Sequence, residues 1–159
     1  MKKYLITSQE FYSDKEDVFA QKLKRQLQKH MPEYALFRDK STVNYEELAK
    51  KLKADGVHLT STQFDKIEYA KKLGLEVIIS THTHEEVLKA QKLGADAVTY
   101  SPIFATPDKG EPKGVDDLKA LLSKCTIKVF ALGGIVEARH LEMLEEAGAY
   151  GFASIRYFY

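Results

Sequence analysis

Short apolar runs alternate with longer helical patterns along the whole chain. Each run has the length of a β-strand, and several are apolar on consecutive residues, as in strands covered on both faces. Between the runs, apolar residues recur three and four positions apart, which is typical of amphipathic helices. The pattern predicts seven strands, at 4–7, 34–37, 56–59, 76–80, 97–101, 128–132 and 151–155.

The joints between helices and strands also repeat. Segments 53–59, 73–79, 93–99 and 147–153 each contain a glycine between a helical pattern and an apolar strand. We expect each glycine to occupy a left-handed helix cap. Strands and helices that alternate in this way predict a parallel sheet with right-handed crossovers. The alternation alone leaves a closed barrel and an open doubly wound sheet as alternatives.

Composition narrows the class of protein. The chain has 159 residues, of which 44% are hydrophobic and 30% charged, so residues 1–159 are expected to form a single folded domain. The formal net charge of +1 gives no general attraction to nucleic acid or to an anionic membrane. A single cysteine, Cys125, favours a reducing compartment, and no apolar run suggests a leader or a membrane span. We therefore expect a small cytoplasmic protein.

The carboxyl ends of the predicted strands are the first place to look for a site, because parallel α/β folds bind ligands there. The strongest element is the Gly133-Gly134 pair in segment 130–135. Such a turn lets backbone N–H groups approach a ligand, and the following helix directs its positive end to the same point. Together with the last strand and Arg156 it predicts a phosphate cradle. The alternative is a tight strand-to-helix turn without a ligand.

Histidines provide the candidate acid–base chemistry. His82 follows an apolar strand, where an imidazole can serve as acid and base near neutral pH. His82 and His84 could also be two metal ligands, but no third ligand has suitable spacing, so no metal site is expected. His84 could instead cap a helix or be solvated. His58 lies within a strand and is expected to be a hydrogen-bonded interior residue, whereas His140 is expected on a helix surface.

Two cationic loops complete the rim. Arg38 and Lys40 follow a predicted strand and could meet phosphate or pyrophosphate. Segment 104–110, with Thr106 and Lys109, begins a long stretch before the next helix, and loops of that length usually bind or cover something. The alternative for both is a solvated charged loop.

Taken in order, these residues resemble the thiamine phosphate synthase and thiazole tautomerase family. The resemblance implies a TIM-barrel-like (β/α) parallel barrel that binds a thiazole phosphate at Gly133, Gly134 and the last strand. In this family the synthase joins that thiazole to a pyrimidine pyrophosphate with Mg²⁺, and the tautomerase moves a proton within a thiazole carboxylate phosphate. The matching segments are 4–7, 37–40, 54–59, 80–86, 94–109 and 131–135.

Departures from the family pattern bear on the choice between these reactions. Leu36 stands where the synthase pattern has Gln, and Gln63 where it has an acidic metal ligand. The Asn-Asp pair that supplies another Mg²⁺ ligand has no counterpart, and Asp108 puts a negative charge into the pyrophosphate loop. A departing pyrophosphate is poorly stabilised without metal. These departures favour the tautomerase, an isomerase, over the synthase, a transferase.

The resemblance also implies roles for individual residues. His82 would be the acid–base catalyst, with no cofactor expected and Mg²⁺ needed only by a synthase. A synthase and a non-catalytic relative that binds a phosphorylated ligand stay as alternatives, and a homodimer is expected. The candidate residues for binding substrate and phosphate are Arg38, Lys40, Ser80, Thr106, Lys109, Gly133, Gly134, Ser154 and Arg156.

Chain length adds one expectation about the barrel. A (β/α)₈ barrel normally needs about 200 residues or more. The shortage falls between segments 45–49 and 54–59, where the family pattern has its third strand and parts of two helices. We therefore expect about seven strands, with the third strand–helix unit and the final helix missing. The aromatic residues at 157–159 are expected to be buried or at an interface.

Overall fold

Seven strands form one parallel sheet in the computed structural model, which describes residues 1–8, 15–36 and 53–159. Their order across the sheet is β2-β1-β7-β6-β5-β4-β3, and every neighbouring pair is parallel. The strands are β1 (Lys2–Ile6), β2 (Tyr34–Leu36), β3 (Gly56–Leu59), β4 (Glu76–Thr81), β5 (Ala97–Tyr100), β6 (Lys128–Leu132) and β7 (Gly151–Ser154).

Helices connect the strands and pack on the outside of the sheet. Each buries an apolar face, as Leu118 and Leu121 do on the fourth helix and Val87 and Ala90 on the third. Within the described ranges, no helix is long and apolar enough to span a membrane. The helices are α1 (Glu16–His30), α2 (Ile67–Lys72), α3 (His84–Lys92), α4 (Gly114–Leu122) and α5 (Ala138–Ala147), with short 3₁₀ turns at Phe64–Lys66 and Arg156–Phe158.

The predicted fold is confirmed as a TIM-barrel-like barrel of seven parallel strands that is nearly closed. All seven predicted strands are present, each within one or two residues of its predicted ends. The two edge strands are β2 and β3, which follow each other in sequence. The expected loss of a strand–helix unit falls between them, where residues 37–52 lie outside the described part of the chain. After β7, Phe158 is buried and Tyr159 is 57% exposed.

Aromatic rings fill the interior of the barrel. Phe130 on β6 lies at the centre, with ring centroids 5.3 Å from Tyr4, 5.1 Å from Tyr34 and 5.3 Å from Tyr150. Phe130 is fully buried, and Tyr4 is 3% exposed. These contacts join β1, β2 and β6 within the interior, so aromatic side chains pack the core at this level.

A polar chain crosses the same interior. His58 on β3 lies between the Tyr4 hydroxyl, 2.8 Å from its Nδ1, and the Ser80 hydroxyl, 2.9 Å from its Nε2. Burial, followed by Glu76 and Tyr34, raises the pKa of Tyr4, so its hydroxyl keeps its proton. The prediction that His58 is a hydrogen-bonded interior residue is confirmed.

A glycine occupies the predicted left-handed helix cap at three of the four helix-to-strand connections. Gly74, Gly94 and Gly148 have φ angles of 79°, 87° and 85°, the left-handed conformation expected after a helix. The expectation is wrong at the first joint, where Lys53 takes the positive φ of 56°. Gly56 instead begins β3, and a Cβ there would lie 2.4 Å from the Glu76 carbonyl oxygen. Its glycine serves the close approach of two strands.

Because Phe130 contacts three other rings, we expect Phe130→Ala to lower the free energy of unfolding by about 3–5 kcal/mol. Urea unfolding with linear extrapolation measures the loss. Leu93→Ala is the control, because Leu93 is 42% exposed, and we expect it to cost less than about 1 kcal/mol. Equal losses in the two variants would contradict the packing described for the interior.

Candidate active site

The carboxyl ends of β4 and β5 bring three polar residues together. Ser80 and His82 follow one another along the end of β4, and Ser101 begins the loop after β5. Ser80 is half-buried and hydrogen-bonded to His58, whereas His82 is exposed. This end of the barrel therefore carries an exposed imidazole two residues after Ser80, which is hydrogen-bonded to His58 in the interior.

The tautomer of His82 follows from its hydrogen bonds. Its Nδ1–H donates to the Ser101 carbonyl oxygen at 3.1 Å, and Ser101 Oγ lies 3.3 Å from the same nitrogen. Because a carbonyl oxygen can only accept, Nδ1 carries the proton in this arrangement. In the neutral ring Nε2 then remains an acceptor, which suits a group that binds a substrate proton. The backbone N–H of His82 donates to Glu86 Oε2 at 2.6 Å, which fixes the turn.

His84 has a different environment from the one expected. The N-cap of α3 is Thr83, whose hydroxyl accepts from the Glu86 N–H, so His84 neither caps the helix nor is simply solvated. Its Nε2–H donates to Asp117 Oδ1 at 3.1 Å, and the Tyr100 hydroxyl donates to Asp117 Oδ2 at 2.7 Å. The carboxylate thus joins the first residue of α3 to the last residue of β5.

Electrostatics keep this carboxylate charged. Burial pushes the pKa of Asp117 upward, but hydrogen bonds from Tyr100 and His84 and the charges of His84 and Lys113 outweigh it and hold the pKa below its usual range. Burial, then the bond to Asp117, raises the pKa of Tyr100, so the phenol remains the donor. The pair is a charge-assisted hydrogen bond.

The Gly133-Gly134 turn lies directly under the loop after β5. Gly133 has a φ of 101° and Gly134 one of 68°. A Cβ on Gly133 would lie 2.9 Å from Pro102, and one on Gly134 would lie 2.6 Å from the Ala105 carbonyl oxygen. The Phe104 N–H donates to the Gly133 carbonyl oxygen at 3.1 Å. Both glycines are therefore required by the loop that packs on them, whatever ligand the turn binds.

The loop brings Thr106 to this turn. The Thr106 hydroxyl donates to the Phe104 carbonyl oxygen at 3.0 Å and lies 3.2 Å from the position of a Cβ on Gly133. Lys109 is exposed on the same loop, and its N–H donates to the Thr106 carbonyl oxygen at 3.3 Å. A hydroxyl and an ammonium group therefore share a loop with the glycine turn below it.

The remaining predicted residues are placed as follows. Ser154 is 6% exposed; its hydroxyl donates to the Ile135 carbonyl oxygen and accepts from the Tyr157 N–H, both at 3.1 Å. Arg156 is exposed just after β7. Arg38 and Lys40 lie outside the described residues.

His140 is closer to the site than expected. It is wrong to place it on the helix surface: its side chain is 19% exposed and its ring stacks on Phe104, with centroids 4.1 Å apart. The Val136 N–H points to its Nδ1 at 3.4 Å, and Glu137 lies 3.3 Å from its Nε2. His140 therefore packs between the turn after β6 and the loop after β5.

The position of the acidic metal ligand in the synthase pattern is occupied by Gln63, which lies among the described residues. Gln63, at the position of an acidic ligand, turns back and accepts hydrogen bonds from the Thr60 N–H and hydroxyl. In residues 1–8, 15–36 and 53–159, no three His, Cys, Asp or Glu side chains form a metal site. At the position of the acidic ligand Gln63 supplies no carboxylate, and the described residues hold no side-chain cluster that would bind Mg²⁺ by itself.

Sequence patterns missed four residues of this region: Tyr100, Asp117, Phe104 and His140. Tyr100 reads as one more apolar strand residue, and Asp117 as an ordinary acidic residue in the first turn of a helix. Asp117 lies 33 positions from His84, a separation that no local periodicity reports.

Residues 21–158 match the protein family described as "Thiamine monophosphate synthase". A putative thiamine-phosphate synthase 2 of Aquifex aeolicus is 37% identical over 116 residues, which are 70% of this chain and 61% of that protein. A thiamine-phosphate synthase of Chloroflexus aurantiacus is 34% identical over 69% of this chain and 52% of that protein. The chain thus spans between half and two thirds of the length of these relatives.

The fold has a counterpart among solved structures. A thiamine phosphate pyrophosphorylase from Pyrococcus furiosus superposes with a TM-score of 0.75 at 23% identity, covering 97% of this chain and 85% of that one. At this identity the likeness concerns the fold.

The interpretation as a thiazole tautomerase, and with it the isomerase class, is wrong. The matching family and the relatives above are all described by the synthase reaction or its pyrophosphorylase name. The synthase family matches this chain over residues 21–158 although Leu36 and Gln63 depart from its pattern. Because the family match covers residues 21–158, the chain belongs to the thiamine monophosphate synthase family.

Proposed function

We propose that this chain catalyses a thiamine-phosphate synthase reaction, a transfer that joins a pyrimidine pyrophosphate to a thiazole phosphate. The thiazole nitrogen forms the new bond to the carbon that carries the pyrimidine. The bond from that carbon to the pyrophosphate oxygen breaks, and pyrophosphate leaves with the bonding electrons. The observation that carries the proposal is the family match over residues 21–158. It includes the rim with His82, the loop with Thr106 and Lys109, and the glycine turn.

Both substrates are anions, and the rim offers groups that suit them. In the proposal, Lys109 binds pyrophosphate by donating from its ammonium group. The Thr106 hydroxyl joins it by turning its proton from the Phe104 carbonyl oxygen to a pyrophosphate oxygen. The backbone at Gly133 and Gly134, with Arg156, binds the thiazole phosphate.

Four further residues complete the proposed site. Ser80 and His82 contact the bound heterocycles from β4. Arg38 and Lys40 belong to segment 37–40, which carries part of the family resemblance, and they add positive charge for the pyrophosphate. A homodimer and a cytoplasmic location stay predictions from the sequence.

Purified protein given both substrates and Mg²⁺ tests the reaction. We expect thiamine phosphate to accumulate with one pyrophosphate released per product, followed by liquid chromatography with mass detection. Binding of each substrate in a thermal-shift assay without any product would contradict the proposal and favour a non-catalytic relative. Absence of both binding and product would also contradict it.

Lys109→Gln removes the exposed ammonium group of the loop. We expect KM for the pyrimidine pyrophosphate to rise about tenfold, because one charge-assisted contact worth about 1.4 kcal/mol is lost. Steady-state kinetics measure the change. Lys119→Gln is the control, since Lys119 is exposed on α4. Unchanged KM in Lys109→Gln would exclude Lys109 from pyrophosphate binding.

Gly134→Ala tests the glycine turn. Gly148→Ala is the matched control, because both glycines have a positive φ but a Cβ on Gly148 meets nothing within 4 Å. We expect Gly148→Ala to cost about 1 kcal/mol of stability and to leave KM unchanged. Gly134→Ala must displace Ala105 or the turn, so KM for thiazole phosphate should rise at least about tenfold. Similar kinetics in the two variants would show that the turn is not part of the site.

A further inference from the structure

We propose that Tyr100, Asp117 and His84, here named the Asp117 anchor, position the loop of residues 101–113 for the pyrophosphate substrate. These are positioning residues, since the anchor acts through the loop and not by contact with the substrate. The inference rests on the proposed function and gives a positioning role to three residues that the sequence analysis assigned to neither catalysis nor substrate binding.

The anchor joins the two ends of the loop. Tyr100 is the last residue of β5, and Asp117 lies in the first turn of α4, which begins where the loop ends. The Tyr100 hydroxyl donates to Asp117 Oδ2 at 2.7 Å. Two backbone bonds close the loop beside it: Lys113 N–H to the Pro102 carbonyl oxygen at 2.9 Å, and Gly114 N–H to that of Ile103 at 3.0 Å. The base of the loop is therefore fixed by side chains as well as backbone.

His84 ties this base to the turn that carries His82. Its Nε2–H donates to Asp117 Oδ1, 3.1 Å away, while His82 Nδ1–H donates to the Ser101 carbonyl oxygen. One turn after β4 thus contacts the start of the loop through His82 and its end through His84. Separation of the loop base from this turn would break both of these bonds.

The anchor is built as a partly buried unit. Tyr100 is 1% exposed, and the side chains of His84 and Asp117 are 24% and 38% exposed. The His84 ring packs on Tyr100 with centroids 5.9 Å apart, and Lys113 Nζ lies 5.2 Å from the Tyr100 ring centroid. A hydrogen bond to a carboxylate in such surroundings is stronger than a solvated one.

Because the base of the loop is fixed, Thr106 and Lys109 at its tip are held in place. Residues 102–106 rest on the glycine turn, while Lys109 is exposed beyond them. With both ends held, Thr106 and Lys109 are presented without the loss of loop freedom that binding would otherwise require. A weakened anchor should therefore impair binding of the pyrophosphate substrate and spare the thiazole phosphate.

Asp117→Asn is the main test, because it keeps the size of the side chain and removes its charge. We expect KM for the pyrimidine pyrophosphate to rise about tenfold, with KM for thiazole phosphate within about twofold of the parent. Asp116→Asn is the matched control, an exposed carboxylate one position away on the same helix. Equal rises in both KM values, or the same rise in the control, would overturn the proposal.

Further variants separate positioning from a merely structural role. Tyr100→Phe removes one hydroxyl and should raise KM for the pyrimidine pyrophosphate. The double variant with Asp117→Asn should have a KM no higher than that of Asp117→Asn alone, since both changes weaken the same Tyr100–Asp117 hydrogen bond. His84→Gln, which can still donate to Asp117, should retain more activity than His84→Ala. Additive effects, or no difference between the two His84 variants, would contradict the anchor.

A measurement independent of turnover keeps this inference apart from the proposed function. Trypsin cleavage of the Lys109–Gly110 bond, followed by intact mass, reports how firmly the loop is held. We expect cleavage in Asp117→Asn to be several-fold faster than in the parent and in Asp116→Asn. Equal rates would overturn the anchor. If Asp117→Asn is cleaved faster than the parent and the parent makes no product, the anchor is supported and the proposed reaction is contradicted.

Discussion

The close packing of the loop after β5 on the Gly133-Gly134 turn is the constraint on which the rim depends. A single added methyl group at either glycine would overlap Pro102 or Ala105. Because the loop has no room to lie elsewhere above this turn, the β5 loop and the β6 loop form one surface. The Thr106 hydroxyl, the Lys109 ammonium group and the backbone of the glycine turn thereby share one surface, as the proposed transfer between two anionic substrates requires.

Two carboxylates near this surface have oxygens engaged in hydrogen bonds. Glu86 accepts from the His82 N–H, and Asp117 accepts from Tyr100 and His84. A carboxylate with its oxygens occupied repels an incoming phosphate less than a free one and also serves as a structural link. The same two carboxylates are therefore compatible with an anion site. This arrangement makes them poor candidates for Mg²⁺ ligands.

Much of the fold could be predicted from the sequence, and less of the site. Consecutive apolar residues between helical patterns are enough to predict seven strands, because burial on both faces leaves that signal. His58 could be predicted because a strand position inside the barrel needs partners. His140 and Asp117 could not, since their partners Phe104 and His84 are distant in sequence. Gly56 was misread because a close strand approach and a helix cap both select glycine.

Side-chain hydrogen bonds in the barrel interior connect the two edges of the sheet, which are not paired by backbone hydrogen bonds in the described residues. In the described residues β2 and β3 are the sheet edges and share no ladder. Tyr34 on β2 donates to Glu76 on β4 at 3.3 Å, and Tyr4 on β1 reaches His58 on β3 at 2.8 Å. Both bonds join the two edge regions across the interior. Because the second continues to Ser80, the closure of the barrel and the polar floor of the rim are one hydrogen-bonded structure.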